Sequence, residues 1–156
     1  MTNKSIYLIL HNIRSAHNVG SIFRTADAAG VEKIYLTGYT PRPVDKFGRV
    51  NQKLAKTALG AEQTVDWESK VKISDLTKQL KKDGREIVAV EQSREAIDYK
   101  KYRPEKETAF IFGHEVRGLS NSVLKQADKV IYIPQHGRKE SLNVSVAAGV
   151  VIFYYV

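Results

Sequence analysis

The segment IYIPQHGRKESLNVSVAAGVVIFYYV, residues 131–156, joins a short apolar run, a polar loop and a long apolar run. This order predicts a strand, a turn and a buried helix. Ser141, Asn143 and Ser145 stand where the second apolar run begins, and buried polar groups cost free energy unless they have hydrogen-bond partners. Because serine is favoured at helix starts, we predict that Ser141 is the N-cap. A capped core helix leaves Asn143 and Ser145 poorly explained, so we interpret the helix start as part of a binding site.

The same alternation of strands and helices extends over the rest of the sequence. Compact apolar runs predict strands, and apolar residues at helical spacing predict the helices between them. In one amphipathic segment, Val71, Leu76 and Leu80 are expected to face the core. We therefore predict an α/β fold with a mostly parallel sheet, helices on both faces and a single domain over residues 1–156. The predicted strands lie at 6–10, 32–38, 62–67, 85–92, 108–113 and 129–134, and the helices at 19–29, 52–60, 70–84, 119–127 and 141–156.

The composition limits the classes of partner and of chemistry. The 156 residues carry a formal net charge of +8, which suits nucleic acid first and an anionic membrane surface second; a basic enzyme without a polymer partner is the alternative. The absence of cysteine excludes disulfides, thiolate metal sites and cysteine nucleophiles. The four histidines lie in no recognised metal spacing, so we predict no metal site. With no signal peptide and no run of roughly 20 apolar residues, we expect a cytoplasmic protein without a membrane span.

Ligands of parallel α/β folds bind where strands end, so the loops that follow the predicted strands are the candidate sites. After the first strand, Asn18 or Ser21 is expected to cap the helix that carries Arg24. Helical spacing points Arg24 away from the apolar face, towards solvent or a partner. After a later strand, Gly113 and Gly118 indicate a tight turn or a close approach to a ligand. Their spacing fits neither the Rossmann nor the P-loop pattern.

Three of these segments together resemble the SpoU/TrmH family of RNA 2′-O-ribose methyltransferases, which belongs to the SPOUT class. NIRSAHNVGSIFRTADAAGV (12–31), IFGHEVRGLS (111–120) and IYIPQHGRKESLNVSVAAGVVIF (131–153) resemble its three motifs, in the same order. The resemblance implies a deep trefoil knot in the C-terminal half, S-adenosyl-L-methionine as cofactor and a homodimer. The periodicity of the sequence does not itself indicate a knot, and true knots are rare.

The resemblance also implies roles for individual residues. A guanidinium is effectively always protonated, so we expect Arg24 to position the target phosphate and stabilise a developing alkoxide rather than act as a base. The other polar motif residues are expected to orient Arg24 and shape the site. The expected catalytic residues are Asn18, Arg24, Glu115, Ser141 and Asn143. The expected cofactor-binding residues are Val90, Glu91, Phe112, Gly113, Gly118, Ile133, Ser141 and Leu142.

Basic loop residues, some of them near aromatic side chains, predict contacts with RNA phosphates and bases; a solvated basic face is the alternative. The sequence begins at its first strand, so we expect no N-terminal RNA-binding extension, and both tRNA and rRNA remain possible substrates. Two other functions stay open: a non-catalytic RNA-binding or assembly protein with the same fold, and a methyltransferase acting on a base nitrogen, which the NVGSIFRT motif disfavours. The expected RNA-binding residues are Arg14, Arg42, Lys46, Arg49, Lys53 and Arg138.

Overall fold

Seven parallel strands form one sheet at the centre of the protein. The computed structural model describes residues 4–139 and 141–156. Its elements are β1 (Ile6–His11), α1 (Ala16–Ala29), β2 (Lys33–Thr37), α2 (Gln52–Ala58), α3 (Ala61–Thr64), β3 (Trp67–Lys70), α4 (Ile73–Lys82), β4 (Glu86–Val90), β5 (Ile97–Asp98), β6 (Thr108–Phe112), α5 (Asn121–Leu124), β7 (Lys129–Tyr132) and α6 (Val144–Tyr155).

The strand order is β3-β2-β1-β6-β4-β7-β5, and every neighbouring pair is parallel. The two central strands, β1 and β6, read IYLILH and TAFIF, and nearly all of their residues are buried. Near-continuous apolar runs are typical of parallel strands that are covered on both faces. The predicted α/β fold with a mostly parallel sheet is therefore confirmed.

Alternate residues of the strands pack into two separate cores. On one face, Leu8 and Phe110 pack with apolar residues of α1, α2, α3 and α6. On the other face, Ile9 and Ile111 pack with residues of α4 and α5. This division follows from the two-residue period of a strand, and it places helices on both faces as predicted.

Helices α1 and α2 lie unusually close to each other at Gly20. A Cβ atom at this position would overlap the Thr57 hydroxyl and the Leu54 carbonyl, so only glycine permits this approach. The Thr57 hydroxyl also donates a hydrogen bond of 2.8 Å to the carbonyl of His17. The contact fixes α2 relative to the first turn of α1.

The third predicted strand, residues 62–67, is wrong. Residues 61–64 form the short helix α3, in which the Val65 amide donates to the Ala61 carbonyl, and β3 begins only at Trp67. Ala61 and Val65 are both buried, so a helical turn instead of a strand places their apolar side chains in the core. The sequence prediction also missed β5, because two residues at a sheet edge carry no periodic signal.

The prediction that Val71 faces the core is also wrong. Val71 is 82% exposed, whereas Leu76 and Leu80 are buried as predicted. Lys72 is the N-cap of α4, so Val71 precedes the helix, and Ile73 occupies the first buried position. Within residues 4–139 and 141–156, no helix is long and apolar enough to span a membrane.

Candidate active site

An open cleft lies at the carboxyl ends of β4, β6 and β7, and we call it the C-terminal cleft. Its volume is about 160 Å³, and it is open to solvent at its mouth. All eight residues expected to bind a cofactor line it. Its walls consist of Val90, Glu91, Gln92, Phe112, Gly113, His114, Glu115, Val116, Arg117, Gly118, Tyr132, Ile133, Gln135, Ser141, Leu142, Val144 and Ala147.

The turn after β6 depends on two glycines. A Cβ at Gly113 would overlap the side chain of Leu119, and a Cβ at Gly118 would overlap the carboxylate of Glu91. Gly118 also has a φ of 64°, which side-chain-bearing residues rarely adopt. The Glu91 carboxylate accepts hydrogen bonds from the amides of Leu119, at 2.7 Å, and Gln92, at 3.0 Å. The ends of β4 and β6 are thereby joined at the floor of the cleft.

His114 holds the same turn closed through its ring. Its Nδ1 accepts hydrogen bonds from the amides of Val116 and Arg117, both at 3.0 Å, and its carbonyl accepts one from Gly118. An Nδ1 that accepts two N–H groups carries no proton, so the neutral ring has its proton on Nε2. His114 lines both the cleft and the neighbouring groove.

Glu115 connects this turn to the start of α1. Its carboxylate accepts hydrogen bonds from the amides of Arg14, at 3.1 Å, and Ser15, at 3.0 Å, and from Nδ2 of Asn18, at 3.2 Å. Partial burial alone would raise the pKa of Glu115, but these hydrogen bonds outweigh it and leave the pKa below its usual value. Glu115 is therefore a charged acceptor at neutral pH.

The predicted N-caps of α1 and α6 are wrong in position. Helix α1 begins at Ala16, and the cap is the Ser15 hydroxyl, which accepts from the Asn18 amide; neither Asn18 nor Ser21 is the cap. Helix α6 begins at Val144 and its N-cap is residue 143, so Ser141 lies two residues too early to cap it.

Asn143 is the N-cap of α6, and it explains Ser145. Its Oδ1 accepts hydrogen bonds from the amide of Ser145, at 2.9 Å, and from the hydroxyl of Ser145, at 2.5 Å. Its Nδ2 donates to Oδ1 of Asn18 at 3.3 Å. Because Asn18 also donates to Glu115, one hydrogen-bonded chain joins the three sequence motifs. Ser141 is exposed and lines the C-terminal cleft instead.

Arg24 lies apart from this chain of hydrogen bonds. It is exposed on α1 as its helical position predicts, in a groove shared with Ser21, Thr25, Lys56 and Phe153. We call this the Arg24 groove. In the described part of the chain, no hydrogen bond or ion pair joins Arg24 to Asn18, Glu115 or Asn143.

Comparison with known proteins assigns the fold and its three motifs to one family. The sequence pattern described as "SpoU rRNA Methylase family" matches residues 5–153, almost the whole chain. The chain belongs to the SpoU rRNA methylase family. This confirms the resemblance seen in its motifs.

Curated relatives within the SpoU family act on RNA according to their names. The chain is 32% identical over 152 residues to the 23S rRNA (guanosine-2′-O-)-methyltransferase RlmB of Neisseria meningitidis. The aligned residues cover 97% of this chain and 58% of that protein. It is 31% identical over 150 residues to the tRNA (guanosine(18)-2′-O)-methyltransferase of Aquifex aeolicus. The aligned residues cover 96% of this chain and 68% of that protein. The chain thus spans roughly three fifths to two thirds of these relatives.

Solved SpoU-family structures have the same fold. The TrmH/SpoU tRNA modifying enzyme of A. aeolicus superimposes with a TM-score of 0.83 at 30% identity, over 96% of this chain and 73% of that one. An AdoMet-bound rRNA methyltransferase from Sinorhizobium meliloti superimposes with a TM-score of 0.86 at 28% identity, over 96% of this chain and 54% of that one.

The SpoU chain distributes its predicted RNA-binding residues over several surfaces. Arg14 and Lys53 line a groove with His17, His114 and Glu115, directly beside the C-terminal cleft. The remaining four residues are exposed in loops and lie outside this groove: Arg42, Lys46, Arg49 and Arg138.

The sequence prediction missed some residues of the SpoU cleft. Gln92, Tyr132, Gln135 and Ala147 line it, although none stood out in the sequence. Gln92 also donates from Nε2 to the Ile133 carbonyl at 3.0 Å, which ties the loop after β4 to the loop after β7. Their positions next to strand ends were the available signal. No group of three or more potential His, Asp or Glu metal ligands lies in residues 4–139 and 141–156.

Proposed function

We propose that this protein transfers a methyl group from S-adenosyl-L-methionine to a ribose 2′-hydroxyl of structured RNA, either tRNA or rRNA. The observation that carries the proposal is the hydrogen-bonded chain of Glu115, Asn18 and Asn143 beside the C-terminal cleft. It brings residues of all three motifs together next to an open cleft. The names of the SpoU-family relatives and the net charge of +8 support RNA as the substrate.

The residues of the cleft fit the proposed cofactor. Val90, Ile133 and Leu142 offer apolar walls for an adenine ring, and the turn at Gly113 and Gly118 exposes backbone next to them. S-adenosyl-L-methionine, when bound, supplies a methyl group that its sulfonium already activates. The work left to the protein is to orient the ribose hydroxyl and to stabilise its deprotonation. No metal is part of the proposal.

The charged and amide groups divide this work. Glu115 is held by three hydrogen bonds, and its low pKa makes it a fixed anion that positions α1 rather than a strong base. Asn18 and Asn143 fix each other at the helix starts. Arg24 binds the phosphate next to the target ribose and stabilises the developing alkoxide. This role requires the Arg24 side chain to lie next to a C-terminal cleft, either that of its own chain or that of a second copy.

A homodimer provides a route for Arg24, and we propose that α1 and α6 form its interface. Phe153 of α6 lies in the Arg24 groove and is 54% exposed, and Val146 and Val156 of the same region are each 51% exposed. A second copy that covered these apolar side chains would bury the groove and place Arg24 beside the partner subunit. In this arrangement each active site combines the cleft of one subunit with Arg24 of the other.

The remaining parts of the proposal concern the chain as a whole. Residues 1–156 form a single domain that acts in the cytoplasm, and the segment after β7 is threaded into a deep trefoil knot. The strand order is compatible with a knot, because the connection from β6 to β7 passes β4 and the connection from β4 to β5 passes β7. A knotted chain that is pulled from both ends stays shorter than its full contour length, which single-molecule stretching measures.

The activity is tested with methyl-labelled S-adenosyl-L-methionine and cellular RNA from a strain that lacks the protein. Label should enter RNA, and the linkage that follows the modified ribose should resist alkaline cleavage. Label recovered only on bases would contradict the ribose assignment. RNA binding without any transfer would favour the non-catalytic RNA-binding protein.

A further inference from the structure

The loop between β2 and α2 contains an ordered hairpin, residues 43–51, which we call the Phe47 hairpin. Val44 and Val50 form an antiparallel bridge, and the Asn51 amide donates to the Pro43 carbonyl at 2.9 Å. Pro43 is buried and Asn51 is the N-cap of α2, so both ends of the hairpin are anchored. The sequence, rich in Pro, Gly and basic residues, predicted only a long surface loop.

Asp45 organises the tip of the hairpin. Its Oδ1 accepts hydrogen bonds from the amides of Phe47, at 2.8 Å, and Arg49, at 3.0 Å, and its Oδ2 accepts from Nε of Arg49 at 2.7 Å. The Asp45 backbone adds two more, because its amide donates to the Arg49 carbonyl and its carbonyl accepts from Gly48. Five hydrogen bonds of Asp45 thus define the shape of the tip.

The hydrogen-bonded tip presents an aromatic ring to solvent. Phe47 is 70% exposed. Lys46 Nζ and Arg49 Cζ each lie 5.1 Å from the centre of the ring. Exposing a large apolar ring costs free energy, and neighbouring cations hold such a ring only weakly at a surface. The combination of a stacking surface with flanking cations is the one used to bind unpaired nucleotides.

The hairpin is coupled to the candidate active site through α2. Lys53 stands two residues after the hairpin and lines the groove that contains Arg14 and Glu115. Helix α2 is in turn fixed against α1 by the close contact at Gly20. The start of α2 thus lies at the groove beside the cleft, and the hairpin directly precedes it in the chain.

We propose that Phe47 stacks on an unpaired base of the substrate RNA near the target nucleotide, while Lys46 and Arg49 contact the adjacent phosphates. The inference rests on the proposed function, to which it adds a preference for unpaired bases around the target. A second copy of this chain is the less suitable partner for the hairpin. It would bring the same cations to the contact, and interface cores are depleted of lysine.

The test compares Phe47→Ala, Phe47→Leu and Phe47→Trp with the unmodified protein. Two labelled RNA probes are used: a short stem–loop with unpaired loop bases, and a fully paired duplex with the same number of phosphates. Phe47→Ala should weaken stem–loop binding about 5-fold to 100-fold, because one base loses its stacking partner. Duplex binding should be unchanged. Phe47→Leu should resemble Phe47→Ala, and Phe47→Trp should bind as tightly as the unmodified protein.

A second variant tests the importance of the ordered tip. Asp45→Ala removes one negative charge and so raises the net charge of the protein by one. Electrostatics alone would therefore strengthen binding to both probes. If the ordered hairpin positions Phe47, this variant should bind the stem–loop several-fold more weakly despite its extra charge. Tighter binding to both probes would show that the hairpin acts only through charge, and would overturn the inference.

The outcomes separate this inference from the proposed function. Equal stem–loop binding by Phe47→Ala and the unmodified protein, or an equal loss on both probes, overturns the stacking role even if methyl transfer is observed. A change of oligomeric state in sedimentation without a stem–loop-specific loss assigns Phe47 to a protein contact, and also overturns it. A selective stem–loop loss in a protein that never transfers methyl supports stacking and contradicts the enzyme.

Discussion

The C-terminal cleft and the Arg24 groove differ in how their predicted residues are held. Glu91 and Glu115, which line the cleft, and Asn143 beside it each make at least two hydrogen bonds, and at least one of these joins another segment of the chain. In the groove, Arg24 is exposed on an open helix face beside the exposed ring of Phe153. The eight residues proposed to bind the cofactor thus lie together in one chain, whereas Arg24 lies apart from them.

This difference has a physical basis. A small-molecule site gains from a preformed cavity whose backbone groups cost no reordering on binding. A long cationic side chain that serves a phosphate is better kept solvated until the substrate replaces its water. We therefore expect the two regions to respond differently to substitution.

Removing the guanidinium should give the largest effect. Arg24→Ala should lower the turnover number about 100-fold to 1,000-fold, the range seen when one transition-state donor is lost. Affinity for S-adenosyl-L-methionine, measured by calorimetry, should change less than about 2-fold, because Arg24 does not line the cleft. A large loss of cofactor affinity would show that Arg24 belongs to the binding surface after all.

Mixing two inactive variants tests whether the groove serves the partner. Arg24→Ala and Glu115→Ala are expected to be nearly inactive alone. If Arg24 acts across a dimer, each mixed dimer contains one intact site, and random pairing restores about one quarter of the activity per protein. Activity is measured after the two variants have been denatured and refolded together. No recovery from demonstrably mixed dimers would place Arg24 and the cleft of the same chain in one site.

A change within the cleft should act on binding. Gly118→Ala places a Cβ against the Glu91 carboxylate at a residue whose φ is 64°. We expect the free energy of unfolding to fall by about 1–2 kcal/mol and cofactor affinity to fall about 10-fold. Urea unfolding and calorimetry measure the two quantities. Gly48→Ala is the matched control, because Gly48 also has a positive φ, of 79°, but lies in open space in the hairpin.

The sequence predicted the residues of the cleft better than those of the Arg24 groove, because the cleft depends more on local sequence patterns and less on contacts between distant residues. The buried runs of β1 and β6 and the glycines of the turn act locally, and local patterns can be read from a sequence. The N-cap of α6 is different: Ser141 and Asn143 are both suitable residues, and Asn143 also contacts Asn18, which is 125 positions away. The short helix α3 and the isolated position of Arg24 depend on similar long-range packing. The Phe47 hairpin was missed because its order comes from one aspartate and not from a periodic pattern.

Acid should reveal the contribution of Glu115. Its pKa in the folded protein lies below the usual value of 4.5, so its stabilising effect is present above about pH 4.5 and is lost as the pH falls through the folded-state pKa. At neutral pH, Glu115→Gln should lower the free energy of unfolding by about 1 kcal/mol, since the charged acceptor is lost. The difference between the two proteins should shrink below pH 4.5 in urea titrations. A constant difference would contradict a charge-dependent role.

The smallest effect is expected from single cations around the hairpin. Arg42→Ala should weaken RNA binding only a few-fold and reduce the slope of log affinity against log salt by about 1. Phe47→Ala should leave that slope unchanged, so the two substitutions separate charge from stacking. An unaltered slope in Arg42→Ala would remove that residue from the RNA interface.

The central place of β1 in the sheet also affects how the chain can fold as it is made. Residues 6–11 pair on one side with β2, which follows within about thirty residues. On the other side they pair with β6, which begins at Thr108. At a synthesis rate of about 5–20 residues per second, the ribosome takes about 5–20 s to deliver that second neighbour. During this interval one edge of the most apolar strand is open to other nascent chains. Early packing of α1 and α2 over its side chains then becomes a protection against aggregation.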